Sequence, residues 1–365
     1  MENCQKSIVL GSCFTLWFWL AVWTQANVQH PAPSFVAQDP NQTAEPAGLV
    51  DEDFGSISPN SSSNPQAGPN QTLPEQDRPV RGRLGTISES IFGNAYAKPS
   101  PWHPLLATTF FSEGWDEPYV ASPAGSGGAA RGGWINGFDG VFFRAWFLDF
   151  AYLDDFHHNG AAWAADYRIY VPFNRRFELR IDVPFLVTNR GGPSNQYQTS
   201  FGDFTVSPRF LISETQDFSQ VFALNVRTPT GQAVNAGGVT SLTPQYQFWA
   251  NPAGPWILRG GTGLTIPTLD QATVRNTYFA NLGIGQFFAR DDAKYVRDLY
   301  WYLVANVSTT VDHKLPASTF VSLSPGVRFA LTRDHMWHFL AAIETPVTGP
   351  HSFRYAPVFL LLKDY

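Results

Sequence analysis

Along residues 176–188, RFELRIDVPFLVT, large apolar residues alternate with charged residues as far as Val183. The apolar members share one parity and the charged members share the other: Phe177, Leu179, Ile181, Val183 and Phe185 against Glu178, Arg180 and Asp182. Because successive side chains of a strand point to opposite faces, this stretch predicts a β-strand with one apolar and one charged face. A helix would mix the two sets.

The same pattern recurs in the C-terminal part of the chain and predicts twelve strands, each near the length of a tilted transmembrane strand. Their ranges are 141–153, 161–172, 177–188, 201–213, 218–228, 241–250, 256–267, 276–289, 299–311, 319–331, 336–347 and 352–363. An even number lets the two ends of an up-and-down barrel meet on the same side.

Connections between these strands alternate in length, as expected when long loops gather on one rim. The first, third, fifth and seventh are long and polar or Gly-rich, whereas FNRR and NPAGP between them are short. The segment RDDAKYVRD at 290–298 breaks the alternation. Several prolines lie near strand ends, but Pro208, Pro325 and Pro357 are more central and predict bulges or shifted boundaries.

We therefore predict an all-β fold: a transmembrane antiparallel up-and-down β-barrel of about 12 strands, preceded by a disordered N-terminal arm. A soluble β-sandwich would also place charges on one face of each strand, so parity alone leaves that alternative open. Aromatic residues near strand ends, on the apolar parity, favour a wall with interfacial girdles. They are Trp163, Phe177, Trp256, Tyr278, Trp301 and Trp337.

The first 140 residues divide into three regions. Residues 1–26 resemble a signal peptide, with Lys6, an apolar run over 8–23 and small residues before Asn27; an uncleaved anchor and a lipoprotein signal at Cys13 are the alternatives. Residues 27–83 are rich in Pro, Asn, Gln and Ser and predict disorder. Residues 84–140 form a transition segment, which is either a linker or a plug in which 102–119 folds under or into the barrel mouth.

The chemistry-bearing residues predict neither an enzyme nor a cofactor site. Cys4 and Cys13 both lie in the signal region, so no cysteine site is expected in the mature chain. His157 and His158 beside two aspartates are expected to be solvated rather than metal ligands. Asn306, Ser308 and His338 match the residue types of a twelve-stranded outer-membrane phospholipase, but parity turns them inward, away from the lipid substrate. Of the 365 residues, 15% are charged, with a net charge of -6 and no basic cluster, so no nucleic-acid partner is expected.

Several short motifs resemble a known family. They are Phe201-Gly202-Asp203-Phe204 leading to Pro208-Arg209-Phe210, Arg227-Thr228-Pro229-Thr230-Gly231, and Gly260-Gly261. Together they resemble the outer-membrane transporter family linked to the meta-pathway of phenol degradation, over residues 141–365. The resemblance implies a monomeric barrel that passes hydrophobic or aromatic small molecules, related in concept to long-chain fatty acid channels. The last strand resembles the C-terminal signature of bacterial outer-membrane proteins, although Lys363 departs from it.

Charged residues on the inward parity are the predicted pore lining: Asp166, Arg168, Glu178, Arg180, Asp182, Asp203, Arg209, Arg227, Arg259, Arg328 and Glu344. Their alternative role is structural, neutralising one another in a polar interior. The expected function is an outer-membrane channel or transporter for small, hydrophobic or aromatic molecules by passive diffusion, with membrane lipid and a small-molecule solute as partners. A structural envelope barrel with a closed lumen and a secreted, ligand-binding β-sandwich are the alternatives.

Overall fold

The computed structural model describes residues 101–191, 195–232, 235–268, 275–287, 297–311 and 318–365. The predictions for 1–26, for 27–83 and for the first part of 84–140 lie outside these residues. The described residues form thirteen strands: β1 Ala145–Leu153, β2 Ala162–Pro172, β3 Phe177–Gly191, β4 Gln196–Ser200, β5 Thr205–Glu214, β6 Phe218–Arg227, β7 Ser241–Ala253, β8 Trp256–Pro267, β9 Thr277–Phe287, β10 Arg297–Thr310, β11 Thr319–Ala330, β12 Trp337–Thr348 and β13 Ala356–Asp364.

Helical structure in the described ranges comprises two single 3-10 turns, Ala107–Thr109 and Phe156–His158. Over the same ranges, no helix is long and apolar enough to span a lipid bilayer.

The sheet closes on itself because its first strand pairs with its last. β1 runs antiparallel to β13 from Ala145 opposite Asp364 to Ala151 opposite Val358, and it pairs along its other edge with β2. Each of the remaining wall strands is antiparallel to its neighbours in the chain order. The result is a closed, twelve-stranded antiparallel barrel with one extra strand, β4, which confirms the predicted fold and excludes the two-layered sandwich.

β4 was not predicted, and it explains why the fourth predicted strand begins late. The C-terminal part of β3 leaves β5 after Asp182 and pairs with β4 from Val187 opposite Ser200 to Gly191 opposite Gln196. Residues 201–204 then separate β4 from β5. At this point Asp166 faces Pro184 while Ala165 faces Leu186, so Phe185 is an extra residue in a bulge. A proline without a ladder donor is tolerated at such a bulge.

The first strand also begins four residues later than predicted, at Ala145. Residues 141–144 do not pair with a neighbouring strand, because wall side chains take their backbone groups. Glu178 accepts a hydrogen bond from the Phe143 amide at 2.7 Å, and Arg209 donates one to the Val141 carbonyl at 3.0 Å. Alternation alone cannot reveal this difference between a strand and an extended chain held by side chains.

The two rims of the barrel differ in connection length. The short-turn rim carries connections 173–176, 215–217, 254–255 and 331–336, together with the longer 288–296, which breaks the alternation as predicted. The long-loop rim carries 154–161, 228–240, 268–276, 311–318 and 349–355. Both ends of the wall, Ala145 and Asp364, lie at the short-turn rim, so residues 101–144 approach the barrel from that side.

The outer face of the barrel is apolar and exposed, as contact with lipid requires. Large apolar residues on the outward parity are more than a third exposed, among them Leu148, Phe150, Phe222, Leu282, Ile284, Ile343 and Phe359. The six predicted girdle residues all lie on this parity. Near the short-turn rim the rings of Trp146 and Trp337 lie 5.2 Å apart, and those of Trp256 and Trp301 lie 6.1 Å apart.

Barrel closure by β13 yields a direct prediction. A chain truncated before residue 356 loses the strand that joins β1 to β12 and leaves two unpaired edges, which are not tolerated in lipid. We expect the full chain to migrate faster on a gel before heating than after, and the truncated chain to migrate only at the unfolded position. A truncated chain that keeps the fast-migrating form would contradict closure through β13.

Candidate functional site

The candidate functional site is the interior of the barrel, where the structure places charged side chains and a segment of the chain itself. We call residues 101–128 the rim segment and residues 129–144 the inner segment. The inner segment enters from the short-turn rim, turns at residues 134–137 and returns to Ala145. Asn136 adopts a left-handed conformation in this turn, with φ of 59°, which asparagine tolerates better than most residues.

Two wall arginines hold the inner segment through its backbone carbonyls. Arg209, 1% exposed, donates hydrogen bonds to the carbonyls of Asp139 and Val141 and forms an ion pair with the fully buried Glu178. Arg259 donates a hydrogen bond to the Arg131 carbonyl at 2.6 Å and pairs with the Asp139 carboxylate at 3.5 Å. Each buried guanidinium therefore depends on the inner segment for part of its compensation.

Asp139 is the acidic residue of the inner segment that contacts both arginines. Besides Arg259, its carboxylate accepts a hydrogen bond from the hydroxyl of Tyr170 on β2, at 2.6 Å. Tyr170 also lies under Arg209, whose guanidinium carbon is 5.1 Å from the ring centroid. Asp139 thus connects β2, β5 and β8 across the interior.

Trp134 fills a recess in the wall that glycines leave open. Its ring stacks on Tyr302 at 4.9 Å with an interplanar angle of 7°. A Cβ atom added at Gly283 or Gly285 of β9 would lie 2.8 or 2.7 Å from the atoms of this ring, which is closer than real Cβ contacts. Only glycine at these two positions leaves room for the indole.

Polar contacts hold the tip of the inner segment, residues 134–137, against β9, β11 and β12. The Asn136 amide nitrogen donates hydrogen bonds to Ser324 on β11 and to Glu344 on β12, each at 2.9 Å. Asn281 on β9 donates to the Asn136 carbonyl at 3.2 Å. One asparagine side chain and its backbone therefore join three strands.

The predicted pore-lining residues divide into three groups. Glu178, Arg209, Arg259, Arg328 and Glu344 lie against the inner segment. Asp203 and Arg227 lie at the long-loop rim, where the Asp203 carboxylate accepts hydrogen bonds from the amides of Gly231 and Gly237 and lies 3.9 Å from Arg227. Asp166, Arg168, Arg180 and Asp182 lie on the inward parity of β2 and β3, above the inner segment.

The charged residues of the third group interact with each other rather than with the inner segment. Arg168 pairs with Asp182 at 2.7 Å and with Asp149 of β1 at 2.9 Å, and Arg180 pairs with Asp182 at 2.9 Å. Asp149, Arg168 and Arg180 line a cavity of about 260 Å³ whose floor is residues 134–139 of the inner segment.

A second cavity, of about 690 Å³, lies at the short-turn side of the inner segment. Residues 130–132 and 142–144 form part of its wall, opposite Arg328, His338 and Tyr365. The two legs of the inner segment therefore face one cavity and its tip faces the other. The inner segment therefore lies between two spaces, one on each side of it.

The rim segment and the start of the inner segment are fastened to the short turns by ion pairs. Arg131 of the inner segment pairs with Glu214 at 2.9 Å, and Arg175, which pairs with the same carboxylate group at 3.3 Å, also pairs with Glu117 of the rim segment at 3.4 Å. Burial opposes the charge of Glu117, but the hydrogen bond and charge of His103, together with Arg175, hold the pKa of Glu117 below its usual value. These ion pairs join residues that are distant in the sequence.

Sequence reasoning missed several of these residues. Asp149 is the single acid of β1 and lies on the inward parity of its strand, so the alternation could have revealed it. Arg131 and Asp139 are the two charges of an otherwise Gly-rich stretch, which is the one signal that this stretch is more than a linker. Trp134 and its glycine recess give no local signal, because the recess comes from another strand.

The other candidate chemistry is dispersed. His338 aligns with Ala330, which aligns with Arg297, whereas Ser308 lies eleven residues further along β10, or about 36 Å at about 3.3 Å per residue. His158 contacts Asp155 at 3.0 Å in an exposed loop. Within the described ranges, no three His, Cys, Asp or Glu side chains are grouped as metal ligands.

Arg209 provides a test of how the inner segment is held. Replacing it with alanine removes the ion pair and leaves Glu178 buried without its partner, which costs about 3–5 kcal/mol. We expect Arg209→Ala to lower the free energy of unfolding in detergent by this amount and to increase protease cleavage within residues 129–144.

Arg227→Ala is the matched control, because Arg227 is part-exposed and its pair with Asp203 is long; we expect a loss of about 0–1 kcal/mol. Equal effects of the two substitutions would show that the inner segment does not depend on the buried pair.

Comparisons with known proteins give neighbours among outer-membrane channels and porins, at low similarity. No family model matches the chain, and no curated protein matches it. An outer membrane channel from Pseudomonas putida F1 is similar with a TM-score of 0.46 and 9% identity, over 60% of this chain and 94% of that one. The KdgM porin (TM-score 0.40, 10% identity) and the NanC porin (0.42, 6%) are each similar over 60% of this chain and 99% of their own. The resemblance to the phenol meta-pathway family stays a prediction from the sequence.

Proposed function

We propose that this protein is an outer-membrane channel for small solutes, and that its own inner segment restricts the conduit. The observation that supports the proposal is the pair of cavities, one of about 260 Å³ and one of about 690 Å³, on opposite sides of residues 129–144. A barrel whose only role was structural would gain packing energy by filling such spaces.

The lining favours a polar solute over the hydrophobic cargo implied by the family resemblance. Two arginines, two aspartates and four side-chain amides line the smaller cavity; those on the wall are Arg168, Arg180, Asp149, Asn225, Gln245 and Asn281. Such groups offer donors and acceptors to a polar molecule, whereas an apolar one would leave them without partners. The eleven predicted pore-lining residues have different roles in this proposal: those beside the smaller cavity meet the solute, and Glu178, Arg209, Arg259, Arg328 and Glu344 hold the inner segment.

The inner segment acts as a plug in this proposal. Its tip is held by the stacked ring of Trp134 and by the hydrogen bonds of Asn136. These contacts include no buried ion pair, so they cost less to break than the buried pairs at the base. A movement confined to residues 134–138 would join the two cavities while Arg209 and Arg259 keep the legs in place. The second candidate function, a structural barrel with a closed lumen, is favoured by those same buried pairs.

Conductance of the purified full chain in planar bilayers tests the proposal. Trp134→Ala with Asn136→Gly removes the two side chains that fix the tip, and we expect a several-fold rise in single-channel conductance over the unaltered chain. Trp301→Ala is the matched control, because it removes the same ring from the outer face of the barrel and should leave conductance unchanged.

A cross-link that fixes the tip of the inner segment to the wall provides the opposite test. Asn136→Cys with Ser324→Cys places thiols at two groups now 2.9 Å apart, in a chain that also carries Cys4→Ser and Cys13→Ser. Oxidising the two thiols to a disulfide, with loss of two protons and two electrons to an added oxidant such as copper phenanthroline, should abolish any rise in conductance with voltage or solute. If neither the unaltered chain nor the tip variant conducts in any salt, the barrel is structural and the proposal is wrong.

A further inference from the structure

Two apolar side chains of the rim segment are exposed instead of packing in the interior. Phe111 is 92% exposed and Leu106 is 52% exposed. Both belong to residues 105–115, which we call the aromatic loop. Exposed apolar side chains on one ordered loop indicate a surface that binds a partner.

The aromatic loop is rigidly attached, so its exposed residues are held in place by the fold. Leu105 and Glu214 exchange two backbone hydrogen bonds, at 2.8 and 2.7 Å. The fully buried Arg176 donates hydrogen bonds to the carbonyls of Leu106 at 3.1 Å and Glu113 at 2.8 Å. The same guanidinium donates to the carbonyls of Leu211 and Ile212 at the end of β5. One arginine thus joins both ends of the loop to the barrel wall.

A continuous series of aromatic rings connects Phe111 to the outer face of the wall. The rings of Phe111 and Phe110 lie 5.0 Å apart, and Phe110 lies 5.5 Å from Trp115. Trp115 is 6.4 Å from Phe210, which is 5.4 Å from Phe177. Phe210 and Phe177 lie on the outward parity of β5 and β3, opposite the buried Arg209 and Glu178. The exposed side chains therefore continue the apolar girdle of the short-turn rim.

The charge of this region selects among possible surfaces. Residues 101–119 contain no lysine or arginine, and Glu113 and Asp116 are exposed beside the aromatic residues. Attraction to anionic lipid headgroups requires clustered basic residues, which are absent from this stretch. Aromatic side chains next to a girdle suit the interface of a neutral phospholipid leaflet.

We propose that the aromatic loop inserts Phe111 and Leu106 into the phospholipid leaflet at the short-turn rim, as an anchor for the chain before it enters the barrel. The proposal rests on the placement of the barrel in a bilayer. The anchor is joined to the barrel wall through Arg176 and Leu105.

Fluorescence quenching in vesicles of zwitterionic phosphatidylcholine tests the anchor. The full chain carries Cys4→Ser and Cys13→Ser with one polarity-sensitive fluorophore, at Ser112→Cys in the loop or at Leu282→Cys on the outer wall. We expect a lipid with a spin label high on its acyl chain to quench the loop position strongly and aqueous iodide to quench it weakly. Adding anionic phosphatidylglycerol should leave this pattern unchanged or weaken it.

Leu106→Ser with Phe111→Ser, in the Ser112→Cys chain, should reverse the pattern so that iodide quenches more than lipid. Phe201→Ser is the matched control, because it removes an exposed phenylalanine beyond β4, near the opposite rim, and should change nothing at position 112. Heat-modifiable migration of each variant verifies that the barrel is intact.

The outcomes separate the anchor from the channel. If lipid quenches Leu282→Cys but iodide quenches Ser112→Cys in the unaltered loop, the loop lies in water and the anchor is wrong while the barrel placement stands. Quenching between labelled copies, in place of quenching by lipid, would assign the loop to a second copy and also overturn the anchor. Absence of lipid quenching at Leu282→Cys would overturn the placement in a bilayer, and the anchor with it.

Discussion

The structure depends on the compensation of buried arginines by a segment that is not part of the barrel wall. Arg209 and Arg259 lie inside the closed sheet, away from solvent, and burying a guanidinium without partners is costly. Glu178 on the wall forms an ion pair with Arg209. Other N–H groups of Arg209 and Arg259 contact backbone carbonyls and the Asp139 carboxylate of residues 129–144. Wall and inner segment therefore stabilise each other, and neither is complete alone.

This dependence divides the interior into regions with different physics. Trp134 and Tyr302 belong to a cluster of buried aromatic and aliphatic residues that joins the inner segment to the wall, so the interior is packed there as in a soluble protein. Above the tip, Arg168 and Asp182 pair with each other around open space. A lumen of twelve strands is wide enough for both regions. In the proposed channel, the passage between the two cavities opens at the boundary between these two regions.

A similar arrangement occurs at the short-turn rim. Arg176 stabilises the aromatic loop outside the barrel, much as Arg209 stabilises the inner segment inside it. Both side chains are almost fully buried and both donate to backbone carbonyls of the chain that precedes β1. Guanidinium groups suit this role because they offer several donors in a fixed planar arrangement. The residues before the barrel are thus integrated with it from two sides.

The pairing of β1 with β13 decided that the sheet closes into a barrel, since a β-sandwich has the same alternation. The sequence by itself predicted the number of wall strands and the inward parity of residues such as Arg180 and Glu344, because alternation with period two is a local property. It could not determine where the Gly-rich residues before Ala145 lie. Their position follows from contacts between residues distant in the chain, such as Trp134 with Gly285 and Asp139 with Arg259. Only the tertiary structure decided which inward charged residues face a cavity and which bind the inner segment, since both groups occupy the same parity along a strand.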